Sequence, residues 1–184
     1  PSTSSAASDV YKRQGEYTSW KSNEEKNRNF KNLLKAQKEF GWNLLLNEND
    51  TISVDENKIK VIGVENWASS RFQQYGDLDK AYNGLNNEDF KILMTHNPSH
   101  WNAKVTDAYN DIDLTLSGHT HGLQYGIDIG DFRVSPVRLA YKQWADLYEL
   151  NKQYIYVNRG FGFMGYPGRV GILPEITILE LKKS

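Results

Sequence analysis

The hydrophobic pattern of the chain begins with one helical repeat. A Ser-Asn-Glu-Glu segment at residues 22–25 has the form of a capping box, and Gly41 is a natural stop. The positions that recur at helical spacing between them are Phe30, Leu33, Leu34, Gln37 and Phe40. The spacing predicts an amphipathic helix of about 18 residues.

After Gly41 the pattern changes to short runs rich in β-branched and aromatic residues. Residues 42–46, 51–54 and 58–65 are separated by Asn/Asp/Glu-rich turns, which predicts a meander or a hairpin. Further strands are predicted at residues 90–96, 111–116, 153–158 and 175–181, and short helices at residues 77–84 and 102–109. Strands that alternate with helices in this way indicate an α/β domain whose strand ends meet at one rim.

The candidate chemistry lies where two of these strands end. His119 and His121 stand one residue apart after the run at 111–116, and His96 ends the run at 90–96. In an extended strand end, side chains at i and i+2 project to the same side, so both imidazoles of the pair can face one metal site. A His-x-His pair alone is equally compatible with two polar residues in a turn.

Composition narrows the function classes. The formal net charge is −1, so the chain lacks the basic excess that would indicate nucleic acid as a partner. The absence of cysteine leaves only nitrogen and oxygen atoms as metal ligands. A length of 184 residues favours one domain. Residues 1–14 are Ser/Ala-rich, and we interpret them as a disordered, non-native tail that precedes a domain at residues 15–184.

The residues that follow the His119–His121 pair exclude three classes of metal enzyme. The metallo-β-lactamase pattern H-x-H-x-D-H requires Asp and His at the positions of Leu123 and Gln124. Cupins require a glutamate a few positions after the pair, and none is present. Amidohydrolases carry further histidines downstream, whereas His121 is the last histidine here. The pattern that survives is a strand-end histidine followed by Gly-His-x-His after a later strand.

This pattern resembles the calcineurin-like metallophosphoesterase family. The resemblance is carried by Met-Thr-His-Asn-Pro at 94–98, Leu-Ser-Gly-His-Thr-His-Gly at 116–122 and the ending at 156–162 and 174–176, and it covers residues 15–184. It implies a β-sandwich flanked by helices, of which this chain would be the C-terminal portion, an incomplete α/β/β/α sandwich. The bacterial, often membrane-anchored branch is the most similar, and some of its members act on lipid-linked substrates.

The resemblance also implies a site. His96 and His119 would bind one divalent metal ion and His121 a second, with Mn, Fe, Zn or Ni as candidates. Asn158 and Arg159 are candidate substrate contacts, because a guanidinium can bind a phosphate with two hydrogen bonds. The alternative is a structural Arg159. His100 is interpreted as a loop or helix-start residue, and Trp101 and Trp144 as packing residues.

The chain also departs from the family pattern. The motifs D-x-H, G-D-x-x-D and G-N-H-D/E, which carry the acidic ligands, are absent, and we interpret the Gly-Asp-Leu-Asp segment at 76–79 as a helix N-cap. We therefore expect a truncated phosphoesterase that is inactive alone, whose parent cleaves a phosphorylated small molecule or a lipid-linked substrate. Membrane association would come through a missing N-terminal segment, and we expect a bacterial cytoplasmic or membrane-associated protein. The alternative is a non-catalytic binding or scaffold domain that retains the fold.

Overall fold

The computed structural model of this chain describes residues 22–54, 56–69, 74–130 and 132–182. The predicted tail at residues 1–14, and the domain boundary at Gly15, lie outside the described residues.

The N-terminal helix confirms the helical repeat. Helix α1 spans Asn23–Glu39, and the Ser22 hydroxyl accepts a hydrogen bond from the backbone N–H of Glu25 at 3.2 Å, as a capping box requires. Gly41 follows the helix with a φ of 78°, a left-handed conformation that glycine adopts without a steric penalty. The sequence therefore set both ends of this helix.

A six-stranded sheet forms the centre of the fold. Its strands, in chain order with the numbering used below, are β1 (Glu48–Val54), β2 (Asn57–Gly63), β3 (Phe90–Met94), β4 (Leu114–Ser117), β7 (Asp146–Leu150) and β8 (Gln153–Val157). The spatial order is β1-β2-β3-β4-β8-β7. The four central strands run parallel, while β1 and β7 pair antiparallel at the two edges. This mixed sheet confirms the α/β class, and the β1–β2 pair is the predicted hairpin.

The remaining elements are short. They are α2 (Leu78–Tyr82), a π-helical turn (Trp101–Val105) that continues into α3 (Thr106–Ala108), 3₁₀ turns at His121–Gln124 and Pro136–Leu139, and a small hairpin of β5 (Ile127–Ile129) and β6 (Phe132–Val134). The Asp77 side chain accepts from the backbone N–H of Lys80 at 3.0 Å and caps α2, which confirms the structural interpretation of residues 76–79. None of the described helices combines the length and the hydropathy that crossing a bilayer requires.

The main core lies between the central strands and the helical segments. Its buried members are Ile62, Val64, Leu78, Ala81, Leu93, Trp101, Val105, Ile112, Ile155 and Val157. Trp101 is 1% exposed and Trp144 belongs to a second, smaller cluster, so the interpretation of both tryptophans as packing residues is confirmed. Burial of these apolar surfaces holds the parallel strands in one register and so fixes where their ends lie.

Two predicted strands are wrong. Residues 42–46 form no strand, and neither do residues 175–181, although the latter alternate in sequence. In the second segment the polar side chains of Glu175 and Thr177 bind residues of the domain, while Ile176 and Ile178 are 86% and 93% exposed. The period-two pattern is thus present with its polar face inward. Strands β5, β6 and β7 were missed because they are only three to five residues long, too short for a period-two pattern to be recognised.

His100 begins the π-helical turn, as interpreted, and it is fully buried. Its Nδ1 lies 3.0 Å from the Thr95 hydroxyl, and its ring stacks on Trp67 with centroids 4.5 Å apart. Burial, aided by the charge of Lys104, lowers the pKa of His100 from 6.5 to about 3. The core therefore holds a neutral imidazole at every pH near neutrality.

This buried imidazole predicts a loss of stability in acid. The unfolded chain takes up a proton near pH 6.5, whereas folded His100 does so only near pH 3, so the free energy of unfolding falls as pH drops through that window. The expected contribution is about 1.4 kcal/mol per pH unit. Urea unfolding of the wild type and His100→Gln, between pH 6.5 and about pH 5 with a chelator present, measures it. Equal slopes in the two proteins would assign the acid sensitivity to other groups.

Candidate metal centre

The β3–β4 pairing brings His96 beside the His-x-His loop. The parallel ladder continues past both strands, because the Thr95 backbone N–H donates to the carbonyl of Leu116 and the Gly118 N–H donates to the carbonyl of His96, each at 3.0 Å. The Ser117 hydroxyl donates to the same His96 carbonyl at 2.9 Å. The backbone of His96 is therefore fixed against residues 117 and 118 before any side-chain chemistry is considered.

The imidazoles of His96 and His119 are in contact. Nε2 of His96 lies 3.1 Å from Nδ1 of His119, and the rings meet edge to face with centroids 5.0 Å apart. His96 is 8% exposed, so this contact is largely shielded from water. The prediction that two strand ends deliver histidines to one place is confirmed for this pair.

The loop that carries His119 and His121 is not extended. Strand β4 ends at Ser117, and His119 and His121 have φ values of 70° and 51° in the left-handed region. The turn at His121–Gln124 continues with positive φ at every residue. The argument from strand alternation was therefore wrong for the pair, and the ligand role of His121 stays a prediction. Left-handed backbone at residues with a Cβ is unfavourable and is typical of functional sites.

Hydrogen bonds from a downstream segment hold this left-handed turn in place. The Thr120 hydroxyl donates to the carbonyl of Trp144 at 2.6 Å, and the Ser135 hydroxyl donates to the carbonyl of Gly122 at 2.8 Å. A Cβ at residue 122 would lie 2.8 Å from Cγ2 of Ile172, so this position requires glycine. At Gly118 a Cβ would meet only the Asn158 carbonyl at 3.7 Å, so nothing in the described fold demands glycine there.

Tyr141 lies on the other side of His119. Its hydroxyl is 2.7 Å from Nε2 of His119, and the two rings meet edge to face with centroids 5.3 Å apart. Tyr141 follows the Pro136–Leu139 turn, and its backbone N–H donates to the carbonyl of Val137 at 2.9 Å. Sequence analysis missed this contact, because Tyr141 belongs to none of the motifs.

The other two candidate residues bind carboxylates. Arg159 donates from Nε to Glu175 at 2.6 Å and from a terminal nitrogen to Asp128. The Asn158 amide donates to Glu175 at 3.3 Å and to the Thr177 hydroxyl at 2.9 Å. Arg159 is 12% exposed, and these contacts support the structural alternative. The roles of Asn158 and Arg159 as substrate contacts stay predictions.

The electrostatics of this network agree with its geometry. Burial alone would raise the pKa of Glu175, but hydrogen bonds from Thr177, Tyr156 and Arg159 hold it below the ordinary value. The pKa of Asp128 is lowered in the same way, against the effect of burial, by Arg133 and Arg159. Both carboxylates are therefore charged, and Arg159 is the cation that they share.

The donor set fits a metal in part. Two imidazole nitrogens 3.1 Å apart suit Zn, Fe, Mn or Ni in ligand chemistry. In the described ranges, however, no three His, Asp or Glu side chains come together as a group that could hold an ion. The described residues thus provide two facing nitrogen donors and no third His, Asp or Glu ligand beside them.

A sequence model of the calcineurin-like phosphoesterase family matches residues 9–123, which is more than half of the chain. The chain belongs to the calcineurin-like phosphoesterase family. Membership of this family suggests metal-dependent phosphoester hydrolysis.

Two relatives illustrate the family match, and one solved structure shows a weaker likeness. The metallophosphoesterase YkuE of Bacillus subtilis is 31% identical over 157 residues, covering 84% of this chain and 51% of that protein. The phosphodiesterase YaeI of Escherichia coli is 33% identical over 91 residues, covering 50% of this chain and 32% of that protein. The sulfate thiohydrolase SoxB of Thermus thermophilus has a TM-score of 0.45 at 17% identity, covering 71% of this chain and 25% of that chain. This phosphoesterase chain thus spans about half the length of YkuE.

The ion pairs of Arg159 with Glu175 and Asp128 predict how its substitution changes the stability of the protein. Arg159→Ala leaves the largely buried carboxylates of Glu175 and Asp128 without their shared cation, so we expect the free energy of unfolding to fall by about 3 kcal/mol. Urea unfolding measures the change, and Lys152→Ala, which removes an exposed cation, is the matched control. An Arg159→Ala protein as stable as this control would contradict the structural role.

Proposed function

We propose that this chain contributes the imidazole part of a dinuclear metal centre that hydrolyses phosphoesters. His96, through Nε2, and His119, through Nδ1, hold one ion, and His121 holds the second. The observation that carries the proposal is the 3.1 Å separation between the two facing nitrogens.

That separation is what one shared ion would require. Metal–nitrogen bonds of about 2.0–2.1 Å place two ligands of the same ion about 2.8–3.4 Å apart, depending on whether their angle is near 90° or tetrahedral. The nitrogens of His96 and His119 lie within this range without any rearrangement of the backbone. In the metal-free protein the same separation is that of a hydrogen bond between the two rings, so the pair is held at a spacing that suits both states.

A pair of divalent ions about 3.5–4 Å apart supplies electrostatic stabilisation of a phosphoryl group and of the oxygen that leaves it. The residues of this chain have the task of holding the ions with neutral imidazoles and of shielding them from water. The largely buried position of His96 serves the second task, because charge interactions strengthen where water is excluded.

The acidic ligands of the centre are the missing part. The sequence contains no D-x-H, G-D-x-x-D or G-N-H-D/E motif, and we propose that the native gene encodes them upstream of Gly15. The chain alone then binds metal weakly and does not turn over substrate. A non-catalytic binding domain is the second candidate, and it is favoured by the lack of a three-ligand group among the described residues.

For the substrate we propose a phosphodiester or a related phosphorylated compound, either a small molecule or a lipid-linked one. The similarity to the phosphodiesterase YaeI supports the bond type, whereas the name of YkuE specifies no substrate.

The shared ion predicts a non-additive loss of metal affinity. We expect His96→Ala and His119→Ala each to weaken Zn²⁺ binding at least about tenfold, measured by calorimetry. Because both rings hold one ion, the double variant should lose little more than either single variant. Lys142→Ala, an exposed change beside Tyr141, is the control. Additive losses would place the two histidines on separate ions, and unchanged affinity would exclude them as ligands.

Activity separates the two candidate functions. The 184-residue chain with Mn²⁺ should cleave bis-p-nitrophenyl phosphate no faster than its His119→Ala variant. A gene product extended upstream to include the acidic motifs should cleave it, and His119→Ala should abolish that activity. Clear turnover by the chain alone would overturn the missing-ligand proposal. An inactive extended product that still binds two ions would favour the binding domain.

A further inference from the structure

The contact between Tyr141 and His119 has no part in the family motifs, and it constrains which nitrogen of His119 can bind a metal. Nδ1 of His119 faces Nε2 of His96 at 3.1 Å, and Nε2 of His119 faces the Tyr141 hydroxyl at 2.7 Å. The two ring nitrogens of His119 thus have different partners on opposite sides. A neutral imidazole carries its hydrogen on only one of them.

Two placements of that hydrogen satisfy the observed distances. In the first, Nε2–H of His119 donates to the Tyr141 oxygen and Nδ1 accepts from Nε2–H of His96. In the second, the Tyr141 hydroxyl donates to Nε2 and Nδ1–H donates to His96. Only the first leaves a lone pair on Nδ1 of His119, which is what a ligand needs. To share the ion through Nε2, His96 must then carry its own hydrogen on Nδ1 when the metal binds, so the contact between the two rings is a hydrogen bond only in the metal-free protein.

We propose that Tyr141 is a positioning residue that holds His119 in the tautomer that binds metal through Nδ1. Its phenol oxygen accepts the Nε2–H of His119, as a carbonyl or carboxylate does behind many metal-bound histidines. This inference rests on the proposed function, since it assigns His119 to the ion that it shares with His96.

The fold holds Tyr141 firmly enough for this task. Residues 135–145, here called the cradle segment, form three hydrogen-bonded contacts with the loop at 119–122. They are Tyr141 to His119, Trp144 to Thr120 and Ser135 to Gly122, at 2.7, 2.6 and 2.8 Å. The Thr120 and Ser135 contacts are buried, so they tie the loop to the segment that carries the phenol.

The rings also constrain each other sterically. Tyr141 and His96 both meet His119 edge to face, with interplanar angles of 74° and 85°. The His119 plane is therefore fixed between two neighbours. Rotation of the ring by 180° would put Cδ2 and Cε1 where Nδ1 and Nε2 now lie, so both nitrogen contacts would be lost. Without the Tyr141 oxygen, only the contact with His96 would favour the present orientation.

The test uses nitrogen-15 NMR of the histidine rings together with calorimetry. In the wild type, His119 should carry its hydrogen on Nε2, and one equivalent of Zn²⁺ should shift Nδ1 while Nε2 keeps its hydrogen. Tyr141→Phe should populate both tautomers of the metal-free protein and weaken Zn²⁺ binding about 10- to 100-fold. The control is Tyr125→Phe, which removes the same hydroxyl from a tyrosine that is 59% exposed and follows the His121–Gln124 turn. This variant should match the wild type in tautomer and in Zn²⁺ affinity.

The outcomes distinguish this inference from the proposed function. If His96→Ala and His119→Ala leave Zn²⁺ binding unchanged, the metal centre itself is refuted. If they abolish binding while Tyr141→Phe keeps both the tautomer and the affinity, only the positioning role is refuted. A wild-type His119 that keeps its hydrogen on Nδ1 when Zn²⁺ is bound refutes it without any variant, so the test does not depend on the folding of Tyr141→Phe.

Discussion

The parallel pairing of β3 with β4 is the constraint on which the site depends. Register places Met94 opposite Leu116, and the ladder runs on until the carbonyl of His96 accepts from both Gly118 and Ser117. A shift by one residue would turn every side chain of a strand to the other face, which would remove Leu93 from the core. The position of His96 beside His119 therefore follows from burial of the same strands that carry them.

The turn after β4 is the part of the site that the core does not determine. Left-handed φ values at His119 and His121 are unfavourable, of the order of 1 kcal/mol or more for each residue. Buried hydrogen bonds from the cradle segment offset this strain, and the requirement for glycine at 122 shows how closely Ile172 packs against the turn. The loop is thus held by residues that follow it in the chain, so that its geometry depends on the whole C-terminal third.

Much of the fold and half of the site could be predicted from the sequence, for identifiable reasons. Helix α1 and the parallel strands follow from local periodicity, and His96 and His119 could be placed together because parallel strand ends share a rim. Local rules failed for the loop, where hydrogen bonds between distant residues override the extended conformation of a strand end. Local sequence rules also could not identify Tyr141. It lies 22 residues after His119, and their contact depends on how the 3₁₀ turn before Tyr141 packs.

The role of Arg159 could not be predicted from the sequence, because its partners come from distant segments of the chain. A guanidinium in a Gly-rich loop after a strand suits a phosphate, but the sequence does not reveal that Glu175 and Asp128 approach it from two other segments. With its charge opposed by two carboxylates, Arg159 offers less attraction to a phosphate than an unopposed cation would. Its aliphatic stem lies near Gly122, where a Cβ would be 3.6 Å from its Cδ. Arg159 thus connects the C-terminal segment to the histidine loop, so that a change there can reach the metal centre without any contact with substrate.

A site built in this way is organised before a metal arrives. In many small metal domains the ligands come together only when the ion binds, and the binding energy then drives folding. Here backbone hydrogen bonds fix His96, and the cradle segment fixes His119 from the opposite side. The imidazole pair therefore does not need the acidic ligands in order to form. In the proposed centre, the imidazole pair would therefore already be in place when the acidic ligands and the ions join it.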